Sequence, residues 1–132
     1  MLRYLLDTNL CIRVLRDRAP ALRVRFNKEA DGLSISTIVL TELLHGAAKS
    51  ARPDSNRRAV ENFAARLEVL PYDAAAAHHA ADIRAALERK GRPIGSYEAL
   101  IAGHARSRGL VVVTGNRGEF DRVDGLRCED WG

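Results

Sequence analysis

Leu110-Val111-Val112-Val113-Thr114, set between Gly109 and Gly115, is the stretch whose reading decides the fold. It is uncharged and mostly β-branched, which suits a pleated strand, and the glycines bound it on both sides. An apolar run without alternation has no polar face to offer water. Such a strand belongs in a mainly parallel sheet covered by helices on both faces.

The flanking sequence supplies those helices. Upstream, Ser96 is placed to cap a helix ended by Gly109. Asp73 caps a longer one through Ile83 and Leu87, ended near Gly91. Val60, Phe63, Ala64 and Leu67 repeat at helical spacing after a loop-like Arg52-Pro53-Asp54-Ser55, and Glu68-Val69-Leu70 reads as a weak strand. Ser36 or Thr37 caps a helix carrying Ile38, Val39, Leu40, Glu42, Leu43 and Leu44. Leu33-Ser34-Ile35-Ser36 is a strand after an Asp31-Gly32 turn. Pro20 suits the first turn of a helix with Leu22 and Phe26 on one face. Tyr4-Leu5-Leu6 is the first strand, followed by a helix capped by Thr8-Asn9 and running to about Asp17. A last short strand near Leu126-Arg127-Cys128 closes the sheet. The expectation is one α/β domain over residues 1–132, three layers (α/β/α), around a mainly parallel sheet of four or five strands.

Composition narrows the function. The 132 residues are 46% apolar, enough for a core without disulfides or a structural metal. Cys11 and Cys128 stand far apart and outside any CxxC, so two reduced thiols in a cytoplasmic protein are expected. The apolar run at the N-terminus is too short for a signal peptide, and no run could span a membrane. The net charge of +4 favours an anionic partner. Aromatics are only 5%, which excludes a base-stacking platform, so backbone charge and a metal would have to hold any nucleic acid.

In parallel sheets ligands gather beyond the carboxyl ends of the strands, where the strand order reverses. Asp7 directly follows the first strand, and Asn116 and Glu119 follow the valine strand. Glu42 lies between the polar face of its helix (Thr41, His45, Lys49) and the apolar one (Leu40, Leu43, Leu44, Ala47), where a carboxylate is partly desolvated. Glu98 stands in the first turn of its helix, where exposed N–H groups stabilise an acid by roughly 0.3–1 kcal/mol. Each alone has an ordinary structural explanation.

As an ordered set they say more. Leu6-Asp7-Thr8-Asn9, Thr41-Glu42-Leu43, Tyr97-Glu98-Ala99-Leu100-Ile101-Ala102 and Val113-Thr114-Gly115-Asn116-Arg117-Gly118-Glu119-Phe120 resemble the acidic signature of PIN-domain nucleases. Pro93-Ile94-Gly95 and Ile101-Ala102-Gly103-His104-Ala105-Arg106 resemble the VapC toxins of type II toxin–antitoxin systems, and the likeness runs on to Glu129-Asp130-Trp131. The resemblance implies an endoribonuclease dependent on Mg²⁺ or Mn²⁺. It implies structured loops of tRNA as substrate, with initiator tRNA among the candidates, a homodimer, and a VapB-type antitoxin whose basic tail enters the acidic groove. It implies Asp7, Glu98 and Glu42 as metal-binding residues, Asn116 and Glu119 as further catalytic positions, and Asn9 and Thr114 as supports. Hard cations suit such oxygen donors. Two carboxylates about 5 Å apart repel by roughly 3 kcal/mol at an effective dielectric of 20, a cost that a bound cation offsets.

Glu98 departs from the resemblance, since PIN domains usually carry aspartate there. Slower cleavage follows as an expectation. A catalytically weakened PIN fold that binds RNA or protein is the alternative. A phosphoaspartyl receiver would want paired acids after the first strand, and a haloacid-dehalogenase-type phosphatase would want aspartate at Asn9. His45 and His104 lack a ligand partner at helical spacing, and His78-His79 read as surface or helix-packing residues. Among the basic residues, Arg13, Lys49 and Arg92 are the better candidates for RNA contacts, because each belongs to a segment adjoining a proposed acidic residue, while Arg23/Arg25 and Arg57/Arg58 read as solvated helix faces.

Overall fold

The computed structural model describes residues 1–16 and 19–132. Five strands, β1 (Tyr4–Leu6), β2 (Leu33–Ser36), β3 (Glu68–Leu70), β4 (Val111–Val113) and β5 (Cys128–Glu129), form one sheet in the order β3-β2-β1-β4-β5. All four pairings are parallel, so the sheet is wholly rather than mainly parallel. The register sets Leu5 beside Val112 and Leu6 beside Val113. Both strands are buried throughout, as their unbroken apolar runs require.

Parallel neighbours need crossovers, and helices provide them. From β1 the chain passes through α1 (Thr8–Arg16) and α2 (Pro20–Lys28) to β2, then through α3 (Thr37–Ala48) and α4 (Pro53–Ala64) to β3. It returns across the sheet through α5 (Ala74–Arg89) and α6 (Ser96–Arg108) to β4, and a short α7 (Arg117–Phe120) leads to β5. α1, α3 and α4 pack together, and α5 packs on α6. With right-handed crossovers these groups cover opposite faces. The order reverses between β1 and β4, which places the crevice at their carboxyl ends.

Several local expectations move. Helix α1 begins at Thr8, not after Thr8-Asn9. Asp7 takes the cap position, because its carboxylate accepts from the Thr8 N–H (2.7 Å) and its carbonyl from the Cys11 N–H (3.2 Å). The expected end of this helix at Asp17 lies outside the described residues. Pro53 starts α4, so part of the expected loop is helical; proline's missing N–H costs nothing in a first turn. Ser96 is the first residue of α6 rather than its cap, and Gly95 precedes it with extended backbone. β5 lies at Cys128–Glu129, two residues later than expected at its start.

Other expectations stand. Ser36 caps α3 through the Ile38 N–H, and Asp73 caps α5 through the Ala76 N–H. Gly109 ends α6 in the left-handed region at φ 66°. Both cysteines are free, Cys11 buried and Cys128 half-buried. Among the described residues no helix is long and apolar enough to cross a membrane.

Candidate active site at the carboxyl ends of β1 and β4

Asp7 joins strand to helix at the point where the sheet reverses. Its N–H donates to the Val113 carbonyl (2.9 Å), which extends the β1–β4 ladder by one bond. Its carboxylate is held from two sides, by the Thr8 N–H and by the hydroxyl of buried Thr114, which donates at 2.8 Å. The Thr114 oxygen in turn accepts from the Asn116 N–H at 3.0 Å. A carboxylate with both oxygens gripped cannot swing away. Burial pushes the Asp7 pKa up, the two hydrogen bonds draw it down, and the negative charge of Glu119 raises it again; the net direction is upward.

Glu98, in the first turn of α6, is half-buried. Its side chain folds back over Gly95, where a methyl group would overlap its carboxylate. A side chain at 95 would displace the Glu98 carboxylate from this position. Glu119, on α7, accepts a hydrogen bond from the Gly95 N–H at 3.0 Å. The Glu98 pKa is raised first by burial, then by the charges of Glu119 and Asp7, and by a hydrogen bond shared with Glu119. Asp7, Glu98 and Glu119 therefore form one electrostatic group.

Glu42 is not among the charges that shift Asp7 or Glu98. It is half-buried on α3, and the Tyr97 hydroxyl beside it keeps its proton more firmly because of a hydrogen bond to the Glu42 carboxylate. It also borders a groove of about 270 Å³, largely apolar, between α1, α3 and α4, with Ile12, Leu15, Leu43 and Val60 in its walls. Asn116 precedes α7 and is exposed, with no side-chain capping bond. Asn9 is exposed on α1 and makes no hydrogen bond to Asp7, unlike Thr114. Of the acids expected to converge, the structure brings together Asp7, Glu98 and Glu119. It leaves Glu42 with Tyr97.

Sequence reasoning gave no role to Gly95 or Tyr97. A glycine three residues before a first-turn acid is a signal that could have pointed to the first; no local pattern reveals the second.

The donor set fits a hard divalent cation in chemistry. It is all oxygen, and burial together with the charges of Glu119 and Asp7 raises the Glu98 pKa, a cost that a cation would offset. Among the described residues no three Asp, Glu, His or Cys side chains close around a single point as they stand.

A wholly parallel α/β fold with carboxylates gathered at its switch point defines the class: an α/β protein with an acidic site at the carboxyl ends of its central strands. More particularly, the chain belongs to the PIN-domain family, whose model matches residues 4–126. It is 51% identical over 131 residues to the tRNA(fMet)-specific endonuclease VapC of Shigella flexneri, with 99% of each chain covered. It is 53% identical, with the same coverage, to the protein of that name from Salmonella typhimurium. It is also similar to a chain in the crystal structure of DNA-bound VapBC from Salmonella typhimurium, with a TM-score of 0.96, 52% identity and all of both chains covered.

Proposed function

We propose that this chain is the toxin of a VapBC-type pair, a cytoplasmic endoribonuclease dependent on Mg²⁺ or Mn²⁺ that cuts tRNA, initiator tRNA first among the candidates. The observation that carries the reading is Asp7, gripped by Thr8 and Thr114 at the β1–β4 switch point and crowded by Glu98 and Glu119. In this reading residues 1–132 work as a single nuclease domain.

Asp7 and Glu98, with Glu119, would hold the cation. Once bound, it supplies positive charge to the attacking water and to the phosphate oxygens. The chain's own contributions are positioning and proton handling. Thr114 and the Thr8 N–H fix the direction of the Asp7 lone pairs, as supports of a ligand must. Glu119 and Gly95 tie α7 to the start of α6, which keeps Glu98 facing Asp7. Glu42, paired with Tyr97 at the rim, orients water or substrate. Asn116 offers its amide from the exposed end of the Thr114 chain.

In the reaction, water oxygen forms a bond to phosphorus as the bond from phosphorus to the 3′ oxygen breaks. The products carry a 5′-phosphate and a 3′-hydroxyl. The antitoxin partner is expected to place a basic tail against these acids, since an arginine suits paired carboxylates and the apolar groove beside Glu42 offers it adjoining surface. A homodimer is expected from the family resemblance.

Purified protein incubated with tRNA and Mg²⁺ should cut it, EDTA should stop the cutting, and Asp7→Asn should lower the rate by at least about 100-fold, the scale of catalytic mispositioning. Cleavage that persists in EDTA, or a 2′,3′-cyclic phosphate on the product, would count against the mechanism. A well-folded protein that binds tRNA without cutting it would favour the binding-module alternative.

A further inference from the structure

An acidic site repels the polyanion it must hold, so cations near it have work to do. Most arginines close to this region are already engaged. Arg117 pairs with Asp121, Arg122 donates to the Pro93 carbonyl, and Arg25 lies over the Trp131 ring while pairing with Glu129. Arg13 is different. It is half-buried on α1, and no hydrogen bond or ion pair engages it among the described residues.

Its position is specific. The Arg13 Nη1 lies 3.6 Å from where a Cβ on Gly115 would stand, in ordinary contact with a residue that has no side chain to cover it. Gly115 is exposed and links Thr114, which holds Asp7, to Asn116. Asn9, one turn before Arg13 on the same side of α1, is exposed as well. The guanidinium is therefore aimed at the rim of the acid group without being used to neutralise it: the charge felt by Asp7 is that of Glu119. Lys49 and Arg92, the other two basic candidates, are exposed, and among the described residues no hydrogen bond or ion pair brings either to this rim.

We propose that Arg13, against the open backbone of Gly115, grips a phosphate of the RNA next to the one being cut. The proposal deepens the nuclease reading and rests on it. Phosphate recognition favours arginine, whose planar fork makes two parallel hydrogen bonds to adjacent oxygens while a lysine acts as a point charge. The contact fixes register on the strand, holding the scissile bond over Asp7, and carries no base information.

The test measures binding of a fluorophore-labelled tRNA transcript across a salt series, with all proteins carrying Asp7→Asn so that cutting does not interfere. Adding Arg13→Gln should weaken binding by about ten-fold and lower the slope of log affinity against log salt by about 1, the mark of one lost phosphate contact. Arg13→Lys should restore the slope and only part of the affinity. With Asp7 intact, Arg13→Gln should raise KM by a similar factor and leave kcat within about two-fold, as for an interaction made equally before and during the reaction. Unchanged slope and affinity in Arg13→Gln would overturn the proposal, and so would equal losses in Arg13→Gln and Arg13→Lys. If Arg13→Gln melts early, the Arg13→Lys slope at wild-type melting temperature decides. A chain that cuts no RNA but keeps the Arg13-dependent slope would sink the nuclease reading and leave the phosphate contact standing.

Discussion

At the scale of the residue, the acids were legible in the sequence as an ordered pattern, and their partners were not. Helical periodicity put Glu42 at a face boundary, and it is half-buried there, but periodicity cannot show that the side chain across from it is Tyr97. The same limit hid Gly95, whose missing Cβ makes room for the longer Glu98 side chain. That room bears on attenuation. Glutamate adds one methylene to the aspartate that the family usually carries, and the added length is taken up by folding back toward Gly95 and Glu119. Positioning errors of about 1 Å can cost on the order of 100-fold in rate. Glu98→Asp is expected to cut tRNA faster at saturating Mg²⁺; an equal or slower rate would mean that the Gly95 pocket has fully accommodated glutamate. The pKa directions give a second prediction. Asp7 and Glu98 are both raised, so the folded state binds their protons more tightly than the unfolded chain does. Without metal they lower stability at neutral pH, and that penalty fades as pH falls from the raised folded values to the ordinary carboxylate range. Compared by chemical denaturation without divalent ions, Asp7→Asn combined with Glu98→Gln should be the more stable protein at pH 7. Its advantage should shrink toward pH 4. An advantage that is constant or grows on acidification would show that folding does not raise these two groups. His104, whose pKa burial lowers, works in the opposite direction and cancels in the comparison.

Among the elements, the long signals read well and the short ones did not. Three valines in a row made β4 unmistakable, and the caps Ser36 and Asp73 and the stop at Gly109 are where the sequence suggested. Helix α7 was not anticipated, since Arg117-Gly118-Glu119-Phe120 spans barely one turn and contains a glycine. The start of α1 lies two residues earlier than the cap Thr8-Asn9 suggested, because Asp7 serves as helix cap and site carboxylate together, and only its function singles it out from Thr8. The alanine-rich stretch of α5 looked featureless in sequence, yet it has a packing reason. Its Ala80 backbone approaches Gly103 of α6 so closely that a Cβ on Gly103 would lie 2.5 Å from the Ala80 nitrogen. Neither group is a flexible side-chain end, so the two helices must part. Gly103→Ala should destabilise the protein by about 1–3 kcal/mol, the usual cost of overpacking, despite the helix propensity it gains. Urea unfolding of the two proteins checks this, and a stability within about 0.5 kcal/mol of wild type would show that the α5–α6 contact is loose. The buried His104 on the same helix, edge-on to Tyr72 and without a hydrogen-bond partner for either ring nitrogen among the described residues, marks that interface as a packed one.

For the whole molecule, strand alternation implied a parallel sheet, while the adjacency of β1 and β4 followed only from the family resemblance; nothing local in two apolar runs says that they pair. That adjacency brings an acid from residue 7 and acids from residues 98 and 119 into one group on a chain whose net charge is +4. The consequence is an acidic island that is costly in the folded protein and absent from the unfolded chain, where the same residues are dispersed. A ligand that binds the folded state alone raises stability by RT ln(1 + [L]/Kd), or about 2.7 kcal/mol at a concentration 100 times Kd. Divalent cation should therefore raise the melting temperature in proportion to the logarithm of its concentration once above Kd. For a chain of this size about 2.7 kcal/mol corresponds to a rise on the order of 10 °C. Mg²⁺ and Mn²⁺ should both act, since carboxylate and water ligands suit either ion. The rise should be lost in Asp7→Asn and reduced in Glu98→Gln, while Glu42→Gln, at the rim beside Tyr97, should keep most of it. Equal loss in Glu42→Gln and Asp7→Asn would mean that Glu42 leaves Tyr97 to join the cation, and the ligand set would then be Asp7, Glu98 and Glu42. A melting temperature indifferent to both ions in every variant would leave the acid group without the counter-charge that its own repulsion calls for.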